Sequence, residues 1–203
     1  MSEKPAALFP LFYLPPVHWF SALRDAGRKA IVEHHEHFPK QTYRNRAHIA
    51  SPNGRLTLSV PVIRGSKNHT PYKDVKISYD SNWQRLHWMS LQASYRSSSY
   101  FEFYEDDLAP FFEQRHTYLF EYNWDLLQLI LGLLKMPAEL HYTESYEADY
   151  GGDDWRNRIS AKAEPAGTGK PYYQVFEDRH GFLPDLSIVD LLFSQGPQSQ
   201  NFL

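Results

Sequence analysis

Residues Glu33 to Arg46, Glu-His-His-Glu-His-Phe-Pro-Lys-Gln-Thr-Tyr-Arg-Asn-Arg, place two carboxylates, three imidazoles, one ammonium and two guanidiniums in a single short stretch. Such groups move protons, hold metal ions or grip anions, and burying them without partners is costly. If the preceding strand continues through them, alternate residues share a face: Glu33, His35 and His37 on one side, His34 and Glu36 on the other. Three readings stand together. The first is a metal triad of two His and one carboxylate, against which successive same-face residues stand about 7 Å apart, wide for ligands of one ion. The second is a general base, either Glu33 or Glu36 with its pKa raised by burial, or His37 near its ordinary value. The third is a polar network in which these groups and the following arginines satisfy one another. No metal or cofactor is assigned.

Arg44 and Arg46 share a face of the next extended segment, with Asn45 opposite. Two neighbouring guanidiniums repel unless carboxylates or a ligand phosphate lie between them, and their planar forks suit both partners. Lys40, Gln41, Tyr43, Arg44, Asn45 and Arg46 are therefore candidate contacts to an anionic small molecule. The competing reading is salt bridges to Glu33, Glu36 or the Glu102–Asp107 run. Arg156 and Arg158 repeat the Arg-Asn-Arg tripeptide beside Gly151-Gly152 and form a second candidate anion contact, or a surface feature only.

The elements that must position these groups begin with an apolar stretch, Ala6 to Leu14, stopped by Pro15-Pro16. A helix over Val17 to Ala26 follows, with Pro16 at its first turn, and then a strand from Lys29 to His37. Strand, helix and strand in this spacing make a βαβ unit. Arg46–Ser51 and Arg55–Ile63 alternate around Pro52-Asn53-Gly54, a hairpin signal. A polar loop follows from Arg64 to Pro71, and a short strand from Val75 to Tyr79. Ser81 with Gln84 reads as a capping box for a helix reaching Arg96. A second helix spans Phe101 to Gln114, and Asn123 caps a third that ends before Pro137; its apolar residues leave almost no polar face, which marks a buried helix. Strands are expected over Leu140–Ala148 and Tyr172–Phe176, with a loop at Ala161–Lys170. Ser187 caps a last helix, stapled by Leu186 and Leu191 and ended by Gly196.

Composition bounds the function. The chain has 203 residues, a formal net charge of −3 and no cysteine, which excludes disulfides and thiolate chemistry. The charge balance offers no global field for nucleic acid or an anionic membrane, so an anion needs a local basic cluster. Aromatic residues make up 16% of the chain, enough for some to line a pocket. The start of the chain lacks the basic and long apolar regions of a secretory signal, and the longest apolar stretch, Leu126–Leu134, is far short of the roughly 20 residues that span a bilayer. A soluble cytoplasmic protein is the expectation. No Gly-rich phosphate loop and no G-x-S-x-G elbow is present. The oligomeric state is unknown.

Several segments together resemble the WbqC-like protein family. They are Leu11-Phe12-Tyr13-Leu14-Pro15-Pro16, Lys40 to Arg46, Leu58-Ser59-Val60-Pro61-Val62, His87-Trp88, and Ser99-Tyr100-Phe101-Glu102. The tail adds Tyr173-Gln174-Val175-Phe176, Gly181-Phe182-Leu183-Pro184, and Leu186 to Phe193. The resemblance covers nearly the whole chain, in order. It implies a connection with bacterial surface-polysaccharide (O-antigen type) assembly and, for some members, transfer onto a sugar. The acidic residue usual in the family's second strand would be Glu33 or Glu36. The resemblance also implies that His87, Tyr95, Tyr100 and Glu102 line a pocket; a lone His among aromatics reads equally as a hydrogen-bonded core residue.

The expectation is an α/β fold, one domain over residues 1–203, with a mixed sheet built from an N-terminal βαβ unit and a β-hairpin, covered by a central helical segment. The expected function is a cytoplasmic transferase acting on a sugar or sugar nucleotide, with acyl or aminoacyl transfer as a candidate chemistry. Glu33, or Glu36 with His37, takes a proton; His87 is a further catalytic candidate; Tyr95 and Tyr100 face the sugar. The alternatives are a non-catalytic binding module for an anionic metabolite and a structural interaction protein.

Overall fold

Ala7–Pro10 (β1) is buried at every position, as expected of a parallel strand covered on both faces. In this computed structural model, which describes residues 6–63, 70–161 and 170–203, β1 pairs in parallel with Lys29–Glu33 (β2), Ala7 opposite Ala30 and Pro10 opposite Glu33. The connection is the helix Val17–Asp25 (α1), which buries Val17, Trp19, Phe20, Ala22 and Leu23. Trp19 stands edge-on to Phe9 at 5.4 Å and donates its indole N–H to the carbonyl of Pro10. This completes the βαβ unit.

Glu139–Tyr142 (β5) joins the other side of β2, also in parallel. On the outer side of β1, Asp154 forms a parallel bridge to Leu8. The carboxyl ends of three parallel strands therefore open on one edge.

The hairpin forms from Arg46–Ser51 (β3) and Gly54–Ser59 (β4), with Ser51 opposite Gly54. Gly54 has φ +99°, which a side chain would strain. Contrary to the mixed sheet that the sequence leads one to expect, the hairpin does not extend the parallel sheet; it is a separate two-stranded sheet. Its inner face packs on helices Trp83–Tyr95 (α2) and Ile188–Gln195 (α6), which keeps it from the strand edges.

Phe101–Glu113 (α3) and Leu119–Leu133 (α4) complete the helical layer, and Glu177–His180 (α5) is a single turn. One core cluster runs from Ala7 to Leu203. Among the described residues, no helix is long and apolar enough to cross a membrane.

Local signals held at α6. Ser187 accepts a hydrogen bond from the Val189 N–H, Leu186 and Leu191 are both fully buried, and Gly196 at φ +51° ends the helix. Elsewhere tertiary partners redirected the caps. Helix α2 starts at Trp83 without a side-chain cap, because Gln84 Nε2 instead donates to the carbonyls of Phe111 and Gln114 at the end of α3. Helix α4 begins at Leu119, so Asn123 lies inside it and is buried. Residues 75–79 make only isolated bridges, Val62 with Ile77 and Lys76 with Tyr118. No regular strand forms at 172–176, and β5 stops at Tyr142. Of the two expected polar loops, residues 64–69 and 162–169 lie outside the described residues.

Candidate functional site at the carboxyl edge of the parallel sheet

In open α/β sheets, ligands bind beyond the carboxyl ends of the strands. Here that edge carries Glu33 at the end of β2, Thr143 just past β5, and Asp154 and Arg156 beside β1. β2 ends at Glu33, four residues sooner than the alternation had suggested, and the chain bends over His34 to Glu36. Glu33, His35 and His37 therefore share no strand face. Among the described residues no three His, Asp or Glu side chains gather as a metal-holding set.

The two glutamates are committed to protein partners. Glu33 is fully buried; its Oε1 accepts from the His35 backbone N–H (2.8 Å) and from the Thr143 hydroxyl (3.0 Å), while Oε2 lies 3.3 Å from Arg156 Nη1. Glu36 takes a two-pronged hydrogen bond from Arg44, through Nε and Nη2. Burial pushes the Glu36 carboxyl above its ordinary range, and Arg44 only partly offsets this.

Arg156 is not the surface residue its Gly-rich surroundings suggested. It is 5% exposed, forks onto Asp154, and also donates to the carbonyls of Glu147 and Ala148. A hydrogen bond from Arg44 Nη2 to the Arg156 carbonyl (3.3 Å) joins the two pairs. Among the described residues, three carboxylates thus face two guanidiniums, and the cluster carries no surplus positive charge for an anion. Arg44 is fixed from its other side as well: its carbonyl accepts from Asn123 Nδ2 (2.7 Å) and from the Tyr72 hydroxyl (3.3 Å).

What the cluster leaves accessible is a pair of imidazoles. The His34 and His35 rings lie 4.1 Å apart, both half-buried, and His34 packs near Phe120 (5.4 Å) and Tyr142 (5.3 Å). Tyr142 in turn meets Trp124 at 4.5 Å, so the imidazoles stand against a partly exposed aromatic wall. His34 Nδ1 is 3.3 Å from Thr143 Oγ1. Burial, then His35 and Lys73, hold the His34 pKa below its ordinary value. Lys73 is exposed; its backbone N–H donates to the His34 carbonyl (3.1 Å), and its ammonium is near enough to oppose protonation of the His34 ring, a cation at the rim.

The remaining candidates divide. His37, Lys40 and Gln41 are exposed beside the cluster, and His37 bridges to Pro71. Tyr43 is buried against Phe12 and edge-on to His48, which raises its pKa to about 12. Asn45 donates to the Val60 carbonyl, and Arg46 is half-buried opposite Ser59, its Nε without a hydrogen-bond partner among the described residues.

His87, Tyr95, Tyr100 and Glu102 belong to the helical layer and do not meet the Glu33 cluster. His87 sits 2.9 Å from the Tyr13 hydroxyl and edge-on to Trp83; burial lowers its pKa to about 4, so it is a neutral core imidazole. Tyr95 is fully buried and bonds Asp190, so it forms no sugar-facing wall. The Tyr100 ring packs over Gly196, and Glu102 is exposed on α3.

His34 stands in the titratable stretch that the sequence singles out but carries no role there, and Lys73, Thr143 and Asp154 are not singled out at all. Only Asp154 had a readable signal, a carboxylate two residues before an arginine. The Arg156–Glu33 contact joins residues 123 apart in the chain, and no local pattern announces it.

The family model for the WbqC-like protein family matches residues 12–166. A protein of Mycobacterium tuberculosis named "Uncharacterized protein Rv1507c" is 24% identical over 227 aligned positions, covering 98% of this chain and 97% of that protein. No solved structure matches significantly.

Proposed function

The chain belongs to the WbqC-like protein family, and from that premise we propose a cytoplasmic transferase of surface-polysaccharide type that acts on a sugar or sugar nucleotide at the carboxyl edge of the parallel sheet. The observation that carries this reading is the accessible His34–His35 pair against Phe120, Trp124 and Tyr142, with its polar side anchored through Thr143 on Glu33. An aromatic wall suits the apolar face of a sugar ring. A neutral imidazole suits proton removal from a hydroxyl or amine acceptor near pH 7. The binding role first assigned to Arg44 passes to the rim cations Lys73 and Lys40, because the Arg44 fork is filled by Glu36. Glu33 acts as an anchor, its Oε1 bonded to Thr143 and the His35 N–H and its Oε2 to Arg156.

Thermal-shift screening of the full chain against nucleotide sugars and free sugars tests the proposal, repeated on Lys73→Ala and His35→Ala. A nucleotide sugar should raise the melting temperature of the wild type by a few degrees. Lys73→Ala, an exposed change worth within about 0.5 kcal/mol of stability, should abolish most of that rise. If no sugar compound shifts any form, the transferase reading fails.

A structural interaction protein is the second reading. What favours it is the saturation of Arg156, whose guanidinium is spent on Asp154, Glu33 and two carbonyls.

A further inference from the structure

We infer that Thr143 is a positioning residue that fixes His34 in its Nδ1–H tautomer, so that Nε2 carries the lone pair that accepts a proton from the hydroxyl or amine of an incoming acceptor. The Thr143 hydroxyl has one hydrogen, and it is donated to Glu33 Oε1 at 3.0 Å. A Glu33 carboxylate bonded to Arg156 and to the His35 N–H has none to give back. Thr143 Oγ1 is thereby left as an acceptor toward His34, both for its backbone N–H and for Nδ1, each at 3.3 Å. An imidazole whose Nδ1 meets an acceptor carries its proton there, and Nε2 is unprotonated.

The backbone holds this arrangement in register. The Thr143 N–H donates to the Val32 carbonyl, extending the β2–β5 pairing by one residue, so the hydroxyl arrives beside the bend at His34. When Nε2 takes a proton from the acceptor, the new imidazolium keeps its Nδ1–H on Thr143, and the Glu33 carboxylate lies one hydrogen bond behind. The acceptor's freed electron pair forms a bond to the anomeric carbon of a nucleotide-linked sugar as the bond from that carbon to the phosphate oxygen breaks; the nucleotide leaves with that bonding pair, and its phosphate takes up the proton from the imidazolium. The groups facing His34 are Glu33, His35, Lys73 and Asp74, of which His35 and Lys73 oppose its protonation and Glu33 and Asp74 favour it. This inference rests on the transferase reading for the identity of the acceptor, and on hydrogen-bond geometry alone for the tautomer.

The two are tested apart. A long-range proton–nitrogen correlation spectrum of the ligand-free full chain reads the tautomer, with the His34 signals assigned by their loss in His34→Gln. Wild type and Thr143→Ser should show the Nδ1–H form, and Thr143→Val should shift toward Nε2–H, the form free histidine prefers in water. Diethyl pyrocarbonate, which reacts with an unprotonated accessible ring nitrogen, should modify His34 several-fold more slowly in Thr143→Val than in wild type or Thr143→Ser. An Nε2–H form in the wild type, or a tautomer and a modification rate unmoved by Thr143→Val, overturns the inference. Because neither readout needs a substrate, the absence of any sugar response sinks the transferase reading and leaves the tautomer result standing.

Discussion

At the sheet edge, Glu33, Glu36 and Asp154 share two guanidiniums, whereas Asp190 at the start of α6 meets no cation among the described residues. Asp190 is fully buried and accepts from the Tyr172 hydroxyl (2.7 Å), the Tyr95 hydroxyl (2.8 Å) and Gln174 Nε2 (3.0 Å). Those neutral donors do not offset its desolvation, and its pKa rises to about 6. The two regions place their carboxylates under different constraints. Charge pairing at the edge ties together segments distant in sequence and leaves two imidazoles partly in solvent. Neutral hydrogen bonding around Asp190 seals the junction of hairpin, α2 and α6, and leaves that carboxylate responsive to pH. The edge therefore has the makings of a site, and the Asp190 network those of a clasp.

The largest effect should come from splitting an edge pair. Arg44→Met leaves Glu36 buried without its partner and should cost about 3–5 kcal/mol in urea denaturation. Glu36→Leu combined with Arg44→Met removes both charges and should recover most of that loss, since desolvation of a buried pair can exceed its Coulombic gain. A double variant as unstable as the single one would mean that the pair contributes more than mutual neutralisation.

Next is the pH response of the clasp. A carboxyl whose folded pKa is raised holds its proton more tightly in the native state, so its contribution is fully present at low pH. It is lost as pH climbs from the ordinary value of 3.8 through about 6. For Asp190 the loss across that window is about 3 kcal/mol by the linkage relation. Asp190→Asn should flatten this part of the stability–pH curve; an unchanged slope would locate the titration elsewhere.

The smallest of the three is Tyr95→Phe. It strips the Ala50 N–H and one Asp190 oxygen of a partner, at about 1–3 kcal/mol. With one donor fewer on the carboxylate, the midpoint of the pH step should move upward. A cost confined to stability, with the midpoint unmoved, would assign Tyr95 to packing alone.

Much of the frame was legible because its signals are local. Pro16 and Gly27 bracket α1, Pro52-Asn53-Gly54 turns the hairpin, and Ser187 with Gly196 delimits α6. The Glu36–Arg44 pair was legible as one of two alternatives, since eight residues separate opposite charges on a turning chain. Signals that looked local failed where a distant partner used the same side chain. Asn123 reads as a cap, yet it bonds the Arg44 carbonyl and the Tyr72 hydroxyl across the fold. Gln84 reads as half of a capping box, yet it closes the end of α3.

The sequence by itself determined the family, the α/β class, the βαβ start and the cluster of titratable groups after β2. These depend on side-chain periodicity, turn chemistry and motif order, which neighbours in the chain settle between themselves. Tertiary structure alone decided that β2 stops at Glu33, that Arg156 reaches Glu33 from 123 residues away, and that Thr143 stands between Glu33 and His34. Those contacts exist because β5 and the Asp154 bridge flank the first two strands in parallel, and strand neighbours far apart in sequence are set by the packing of the whole chain.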